Sequence, residues 1–208
     1  MAEIERAEKI GVLGGSFNPV HNGHMSMARG FLKRLGLSRV LLIPVWSPPH
    51  KSARGLAPAS ERLAMCRLAC EGEPRIEACP IEIERGGVSY TADTLAALAQ
   101  RYPRARFYLI TGADMFLTLE SWRNFPEIAR RAVLCACARR EGELAALRAQ
   151  AEKLTRLYGA SCRVEDLPVR EVSSTQVRAL LKQGGGAQGL LPPEVERYIA
   201  ARGLYRGI

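Results

Sequence analysis

The sequence predicts an α/β fold in which helices cover both faces of a doubly wound parallel sheet, followed by a small C-terminal helical extension. Apolar runs of strand length alternate with helical patterns along most of the 208 residues, and this alternation is typical of parallel sheets. The chain is also long enough for one ordinary α/β domain and too short for two large ones. We therefore expect one Rossmann-like domain over residues 1–208, with an α/β core at about 9–170 and a helical part at about 171–208.

The first half of the pattern opens with the apolar run Lys9–Leu13, which precedes Gly14 and Gly15. Apolar residues then recur at the helical period up to Leu35, and a second apolar run follows at Val40–Ile43. Applied along the chain, the same criteria predict strands near 9–14, 38–45, 76–83, 105–111, 131–138 and 162–166.

The second half contains the run Ala132–Ala138, which reads as a buried strand with two small thiols. The glycine-rich stretch 183–189 reads as a loop before a last helix, which Pro192 and Pro193 open. In all, the periodicity predicts helices near 22–35, 59–71, 92–102, 113–120, 143–158, 175–183 and 193–201.

Composition excludes several classes of protein. The hydrophobic share of 47% is that of a globular chain, and the apolar run Val40–Ile43 is far too short for a membrane span. The segment Met1–Lys9 has no apolar centre and is not a secretory signal, so we expect a cytoplasmic protein without a membrane partner. The net charge of +9 suits anionic ligands, but the arginines are scattered without stacking aromatics, which argues against nucleic acid. None of the six cysteines forms a Cys-x-x-Cys pair, so a structural zinc site is not expected.

Two histidines at a helix start form the clearest chemical signal. The tetrad His21-Asn22-Gly23-His24 follows the glycine turn and Ser16–Val20 without a gap. Residues i and i+3 share a helix face, and the N-terminus of a helix offers N–H groups and positive potential to a phosphate. The turn lacks both the G-x-G-x-x-G spacing and the Gly-Lys-Ser/Thr of a P-loop. We therefore expect a phosphate-handling site of another kind.

A second candidate anion site lies about 150 residues further along the chain. Ser174 is a plausible N-cap of the predicted helix, and Arg178 lies four residues on, on the same face. A cap hydroxyl, helix N–H groups and a guanidinium together suit an anion.

These two segments resemble motifs of the bacterial nicotinate mononucleotide adenylyltransferases, a family of the HxGH nucleotidyltransferase superfamily. Residues 14–24 are similar to its opening motif G-G-S/T-F-D-P-x-H-x-G-H, with Asn18 in place of Asp. Residues 172–178 are similar to its I-S-S-T-x-I-R motif, and the loop 44–51, which ends in His50 and Lys51, to its P-x-x-x-P-P-H-K loop. The resemblance therefore covers most of the chain.

The resemblance also implies roles for individual residues. Residues 90–95 are similar to the family's Y-T-x-D-T-L, which holds the pyridine carboxylate, and residues 112–114 to G-x-D, which meets ribose hydroxyls. His21, His24 and Arg178 would be catalytic. Nicotinate mononucleotide would be bound by Thr91, Asp114 and Trp122, the last by stacking on the pyridine ring. ATP would be bound by Gly14, Gly15, Ser16, Phe17, Lys51, Ser173, Ser174, Thr175 and Arg178. His50 precedes Lys51 in the same motif.

The implied reaction is adenylyl transfer from ATP to nicotinate mononucleotide, which gives nicotinate adenine dinucleotide and pyrophosphate. No residue stands out as a covalent nucleophile, so the protein would position the substrates and neutralise charge. No carboxylate cluster suggests a protein-built metal site, so Mg²⁺ would arrive on the ATP phosphates. The remaining alternatives are another acceptor, such as nicotinamide mononucleotide or phosphopantetheine, and a non-catalytic nucleotide- or RNA-binding protein. A homo-oligomer is possible.

Overall fold

Parallel strands form the centre of the computed structural model, which describes residues 7–48, 55–138, 142–187 and 189–206. Within these ranges one six-stranded sheet has the order β3-β2-β1-β4-β5-β6, and every neighbouring pair is parallel. The strands are Lys9–Gly15 (β1), Arg39–Pro44 (β2), Ile76–Ala78 (β3), Arg106–Gly112 (β4), Ala132–Ala138 (β5) and Cys162–Asp166 (β6).

Helices cover both faces of this sheet. They are Asn22–Arg34 (α1), Ala59–Ala69 (α2), Ile81–Arg85 (α3), Thr91–Arg101 (α4), Ala113–Leu117 (α5), Phe125–Arg131 (α6), Glu143–Tyr158 (α7), Ser174–Lys182 (α8) and Pro193–Arg202 (α9). Side chains of the four central strands, β1, β2, β4 and β5, alternate between two apolar clusters. Leu41 packs in the cluster that contains α4 to α7, and Leu42 in the one that contains α1, α2, α8 and α9. This alternation confirms the predicted doubly wound, Rossmann-like fold.

Three predicted elements differ from the structure. The strand expected at 76–83 ends at Ala78, because Pro80 has no N–H to donate to a neighbouring strand and instead precedes α3. The helix expected at 113–120 is α5 followed by a 3₁₀ turn at Leu119–Ser121. The short helices α3 and α6 were not predicted at all.

The strand order fixes where a ligand would bind. The chain passes from β1 to β2 on one side and returns to place β4 on the other side of β1. In open parallel sheets, ligands bind at the carboxyl ends of the strands where the order reverses in this way. The segments that follow Gly15 and Gly112 both lie at this point.

No helix within the described ranges is both long enough and apolar enough to cross a bilayer.

Candidate active site

The histidine tetrad forms the start of α1. His21 is the N-cap, and its Nδ1 accepts from the His24 N–H (3.4 Å), while Nδ1 of His24 accepts from the His21 N–H (3.2 Å). The two rings stack, with centroids 3.6 Å apart and planes inclined by 24°. His21 is only 3% exposed, and His24 is partly exposed. The predicted juxtaposition of the two imidazoles at a helix start is confirmed.

This reciprocal cap fixes the protonation pattern of both rings. A ring nitrogen that accepts a hydrogen bond carries no proton, so each neutral imidazole holds its proton at Nε2. The ring N–H of each histidine therefore lies on the side of the ring opposite its cap bond.

Fewer backbone N–H groups at this helix start are left to bind a phosphate than the sequence predicts. The N–H of Asn22 donates to the carbonyl of Leu190 (2.8 Å), and that of His24 is directed at His21. The expectation that these first-turn N–H groups await a phosphate is therefore wrong for Asn22 and His24. The tight surroundings also explain Gly23, where a Cβ would lie 2.9 Å from the carbonyl oxygen of Arg170 and 3.0 Å from Nδ1 of His21.

Helix α8 meets the turn that precedes the histidines. Nη1 of Arg178 donates to the carbonyl of Asn18 (2.7 Å), and Oγ of Ser174 donates to the carbonyl of Pro19 (2.9 Å). Nη2 of Arg178 also donates to Oγ1 of Thr175 (3.2 Å). The two segments predicted to handle phosphate are thus in direct contact, although 160 residues separate Asn18 from Arg178.

The N-cap of α8 is Ser173, not Ser174 as expected. The Ser173 side chain accepts from the Gln176 N–H (3.1 Å), and extended backbone at Ser173 provides the usual N-cap geometry. Because the hydroxyl of Ser174 donates to the carbonyl of Pro19, this residue connects helix α8 to the turn. Ser173 and Thr175 are exposed at the same helix start.

The turn formed by Gly14, Gly15 and Ser16 exposes mainly its backbone to solvent. Gly14 is exposed at the end of β1, and Gly15 and Ser16 are partly exposed. Phe17, expected to bind ATP, is buried, and its ring meets that of His24 edge to face at 4.9 Å. Any contact of Phe17 with ATP would therefore come from its backbone.

Sequence reasoning missed Arg62 of α2, which is fully buried. Its Nε, Nη1 and Nη2 donate to the carbonyls of Ala57 (2.9 Å), Ser16 (2.9 Å) and Trp46 (3.1 Å). Burial lowers the pKa of this guanidinium. One side chain thus connects the glycine turn, the segment after β2 and the approach to α2. A single arginine within a helical pattern gives no sequence signal for such a role.

The segment after β2 also lies beside the start of α4. The N–H of Trp46 donates to Oγ of Ser89 (3.0 Å), and the N–H of Ser89 donates to the carbonyl of Ser47 (2.9 Å). Trp46 is 45% exposed. Its hydrogen bond to Ser89 places it beside the segment that leads into Thr91. An exposed tryptophan at this place is a second aromatic candidate that the sequence analysis did not consider.

The predicted acceptor residues lie around the same region. Thr91 is the first residue of α4, Trp122 is partly buried after the 3₁₀ turn, and Asp114 is exposed just after β4. Arg123 connects two of these elements, since it lies over the ring of Tyr90 (4.3 Å) and 3.9 Å from the carboxylate of Asp93. Asp93 is exposed, as expected of a carboxylate that points away from the helix start.

A buried carboxyl lies behind this helix start. Oε1 of Glu82 accepts from Oγ1 of Thr94 (2.6 Å), and Oε2 has no hydrogen-bond partner among the described residues. Burial raises the pKa of Glu82. The predicted contact Lys51, together with His50, lies outside the described residues.

No group of three or more His, Cys, Asp or Glu side chains in the described ranges is placed to hold a metal ion.

Comparison with known proteins identifies the family to which the chain belongs. Residues 12–180 match the model of the family "Cytidylyltransferase-like". A "Probable nicotinate-nucleotide adenylyltransferase" of Synechococcus sp. (strain JA-3-3Ab) is 39% identical over 95% of this chain and 94% of its own length. A protein of the same printed name from Saccharopolyspora erythraea is 37% identical over 98% and 92%.

A solved structure shares the fold. It is that of "Plasmodium falciparum nicotinic acid mononucleotide adenylyltransferase complexed with NaAD", with a TM-score of 0.77, 16% identity, and coverage of 95% of this chain and 97% of that one. The chain belongs to the cytidylyltransferase-like family and, within it, to the nicotinate-nucleotide adenylyltransferases.

Proposed function

We propose that this protein transfers the adenylyl group of ATP to nicotinate mononucleotide, which releases pyrophosphate and forms nicotinate adenine dinucleotide. The observation that carries the proposal is the contact between the histidine turn and the Arg178 helix, which brings together imidazole, hydroxyl and guanidinium groups of the kind that suit phosphates. The names of relatives that match nearly the whole chain support the same reaction.

This reaction requires the protein to align the two substrates and to neutralise the negative charge of their phosphates. An oxygen of the acceptor's phosphate attacks the α-phosphorus of ATP, and the bond from that phosphorus to the β-phosphate bridging oxygen breaks as pyrophosphate leaves. Phosphoryl chemistry of this kind needs alignment and neutralisation more than covalent help. Burial raises the pKa of Cys66 and Cys79, which makes these thiols poor nucleophiles.

The histidines suit the ATP phosphates because both present Nε2–H donors. His24, the more exposed of the two, would contact the reacting phosphates, and His21 would support it through the stack and the cap. Arg178, Ser173 and Thr175 would bind from the α8 side, and Lys51 from the loop after β2. Gly14, Gly15 and Ser16 would leave room for the nucleotide beside β1.

A divalent metal would enter as part of the substrate. We propose Mg·ATP, because phosphate oxygens are ligands that Mg²⁺ prefers. Removal of divalent ions by EDTA should abolish product formation, and added Mg²⁺ should restore it.

The acceptor would lie against the start of α4. Thr91 and its neighbours would direct helix N–H groups at the pyridine carboxylate, Trp122 would stack on the ring, and Asp114 would meet ribose hydroxyls. The amide of nicotinamide mononucleotide would place an N–H₂ group against the same donors. A mismatch of this kind costs about 1–3 kcal/mol, or roughly ten- to hundredfold in kcat/KM.

One assay tests the whole proposal. The protein is incubated with Mg·ATP and, separately, with nicotinate mononucleotide, nicotinamide mononucleotide or phosphopantetheine, while pyrophosphate and the dinucleotide are measured. Pyrophosphate release with the nicotinate nucleotide at the highest kcat/KM is the expected result. Equal values for acid and amide would contradict the specificity alone. RNA binding that weakens steeply with salt, without pyrophosphate release from any acceptor, would contradict the enzyme activity.

A further inference from the structure

The C-terminal segment reaches back to the turn beside the histidines. Tyr205 follows α9, is 7% exposed, and donates its hydroxyl to Oδ1 of Asn18 (2.8 Å). Its backbone is left-handed (φ 64°), which is rare for a residue with a bulky side chain. Such a conformation persists only where the surroundings hold it firmly.

Asn18 is held at both ends of its side chain. Besides the Tyr205 hydroxyl, Oδ1 accepts from the Ala57 N–H (3.0 Å), and Nδ2 donates to the carbonyl of Gly55 (2.9 Å). The left-handed backbone of Phe17 (φ 43°) immediately precedes it. Any rotation of the Asn18 side chain would therefore break at least one of these hydrogen bonds.

The carbonyls of the same turn hold the anion-binding helix. Asn18 accepts from Nη1 of Arg178 (2.7 Å), and Pro19 accepts from Oγ of Ser174 (2.9 Å). A guanidinium binds a phosphate well only when its planar fork faces the oxygens. The orientation of the Arg178 fork therefore depends on where the turn places the Asn18 carbonyl.

We propose that Tyr205 is a positioning residue for the ATP-phosphate site, and that its hydroxyl acts through Asn18 on the orientation of Arg178. This inference rests on the proposed function, because it assigns the ATP phosphates to Arg178. It extends the site to a residue at the far end of the chain that touches no substrate.

The chain provides a matched control for this inference. Tyr198 of α9 also donates its hydroxyl across a distance of 2.8 Å, but to Glu61 of α2 rather than to the turn. Both Tyr→Phe substitutions remove one hydrogen bond between the C-terminal part and the rest of the protein. They should lower the melting temperature by similar amounts.

Steady-state kinetics separate the two tyrosines. Tyr205→Phe should lower kcat/KM for ATP about tenfold, the loss expected when one buried hydrogen bond is removed, and leave the KM for nicotinate mononucleotide within about twofold of wild type. Tyr198→Phe should leave both values within about twofold. If Tyr205 acts through Arg178, then its substitution in an Arg178→Lys background should change ATP use by less than about twofold.

Three results would overturn the proposal. These are equal ATP kinetics for the two Tyr→Phe variants, an undiminished tenfold effect in the Arg178→Lys background, and a Tyr205→Phe variant that unfolds while Tyr198→Phe remains folded. Titration calorimetry measures the affinity for Mg·ATP in the absence of an acceptor. Its result therefore tests the role of Tyr205 even if the proposed reaction does not occur. If no acceptor is adenylylated, weaker ATP binding by Tyr205→Phe alone would still support the positioning role, and equal binding would overturn it.

Discussion

At the scale of single residues, His21 and His24 use opposite ring nitrogens for different purposes. Nδ1 of each ring closes the cap of α1, which leaves the proton on Nε2. A simple His24→Ala exchange would remove both the cap and the phosphate contact that we propose for Nε2. Its loss of activity could then not be assigned to either.

Two substitutions separate capping from catalysis at His24. Asn retains an acceptor near the position of Nδ1, whereas Gln places its amide near the position of Nε2. His24→Asn should keep a near-normal melting temperature and lose about 3 kcal/mol of transition-state stabilisation, or roughly a hundredfold in kcat. His24→Gln should lose about 1 kcal/mol of stability with the cap and keep more activity than His24→Asn. Chemical denaturation and turnover measured on both variants check this, and the reverse ranking of activities would contradict the role of Nε2.

Glu82 should make stability depend on pH in the direction opposite to that of a paired carboxylate. Burial raises its pKa above that of the unfolded chain, so the folded state binds the extra proton between the two values. Its contribution to stability is therefore full below the unfolded pKa and is lost as the pH rises through the folded pKa. Glu82→Gln should stabilise the protein at neutral pH, with an advantage that shrinks toward about pH 4.

Melting temperatures measured from pH 4 to pH 8 test this prediction. Glu61 is the control, because its hydrogen bonds with Arg202 and Tyr198 lower the pKa of its carboxyl. Glu61→Gln should therefore destabilise the protein at neutral pH. A Glu82→Gln variant that is destabilised at every pH would show that the carboxylate form is needed in the fold.

At the scale of elements, the sequence predicted the longer strands and helices, whose apolar patterns are long enough to recognise, and missed two of the shortest helices. Five of the six strands were expected within a residue or two. Four of them, β1, β2, β4 and β5, were recognisable because buried strands in a parallel sheet are continuous apolar runs, whereas β6 is a partly exposed edge strand. Helices α3 and α6 have five and seven residues, which is too short for a helical period to show. A signal for α6 was nevertheless present, since Pro126 in its first turn is a residue that favours helix starts.

Contacts within the candidate site could be predicted where a local motif encodes them, but not where they arise only from packing in the folded chain. The histidine tetrad is a local signal, so the placement of both imidazoles at a helix start was predicted, but the hydrogen bonds already made by the Asn22 and His24 N–H groups were not. The roles of Arg62, Asn18 and Tyr205 depend on carbonyls that come together only in the folded chain. No spacing along the sequence could reveal them.

Arg62 should matter more for stability than its neighbours on α2. Arg62→Lys retains the charge but replaces three directed N–H groups on three carbonyls with a single ammonium. We expect a loss of roughly 3 kcal/mol, as for other broken buried networks. Arg67, exposed on the same helix, is the matched control, and Arg67→Lys should change the free energy of unfolding by less than about 0.5 kcal/mol. Urea denaturation of both variants measures the difference, and similar small losses would contradict the role of Arg62.

The two tryptophans allow the acceptor side to be located by fluorescence. Trp122 follows the 3₁₀ turn, Trp46 follows β2, and the chain has no others. If Trp122 stacks on the pyridine ring, nicotinate mononucleotide should quench the emission of Trp46→Phe strongly and that of Trp122→Phe weakly. The opposite pattern would assign the ring to Trp46. Nicotinamide mononucleotide should give the same pattern, because stacking does not distinguish acid from amide.

At the scale of the whole molecule, the C-terminal part that begins at about residue 171 shares an apolar cluster with the α/β core. Val177, Val195 and Ile199 of the C-terminal helices lie in the same apolar cluster as Met25 and Phe31 of α1. Removal of these helices would expose the apolar side chains of α1 and α2 that share this cluster with them. The predicted α/β core therefore depends on the C-terminal part for its apolar packing.

We accordingly propose that residues 1–208 form one cooperative unit rather than a core with an appendage. Scanning calorimetry should show a single transition whose calorimetric and van't Hoff enthalpies agree, near 140 kcal/mol by the usual value of about 0.7 kcal/mol per residue. Saturating Mg·ATP should shift this transition as a whole, by about 2.7 kcal/mol at a hundred times its Kd, since its proposed contacts come from both α1 and α8. A chain ending at residue 170 should show no cooperative transition, because α1 and α2 would lack the apolar partners that α8 and α9 provide. Two transitions in the full chain, only one of which responds to Mg·ATP, or cooperative melting of the shortened chain, would show that the C-terminal helices are a separate folding unit.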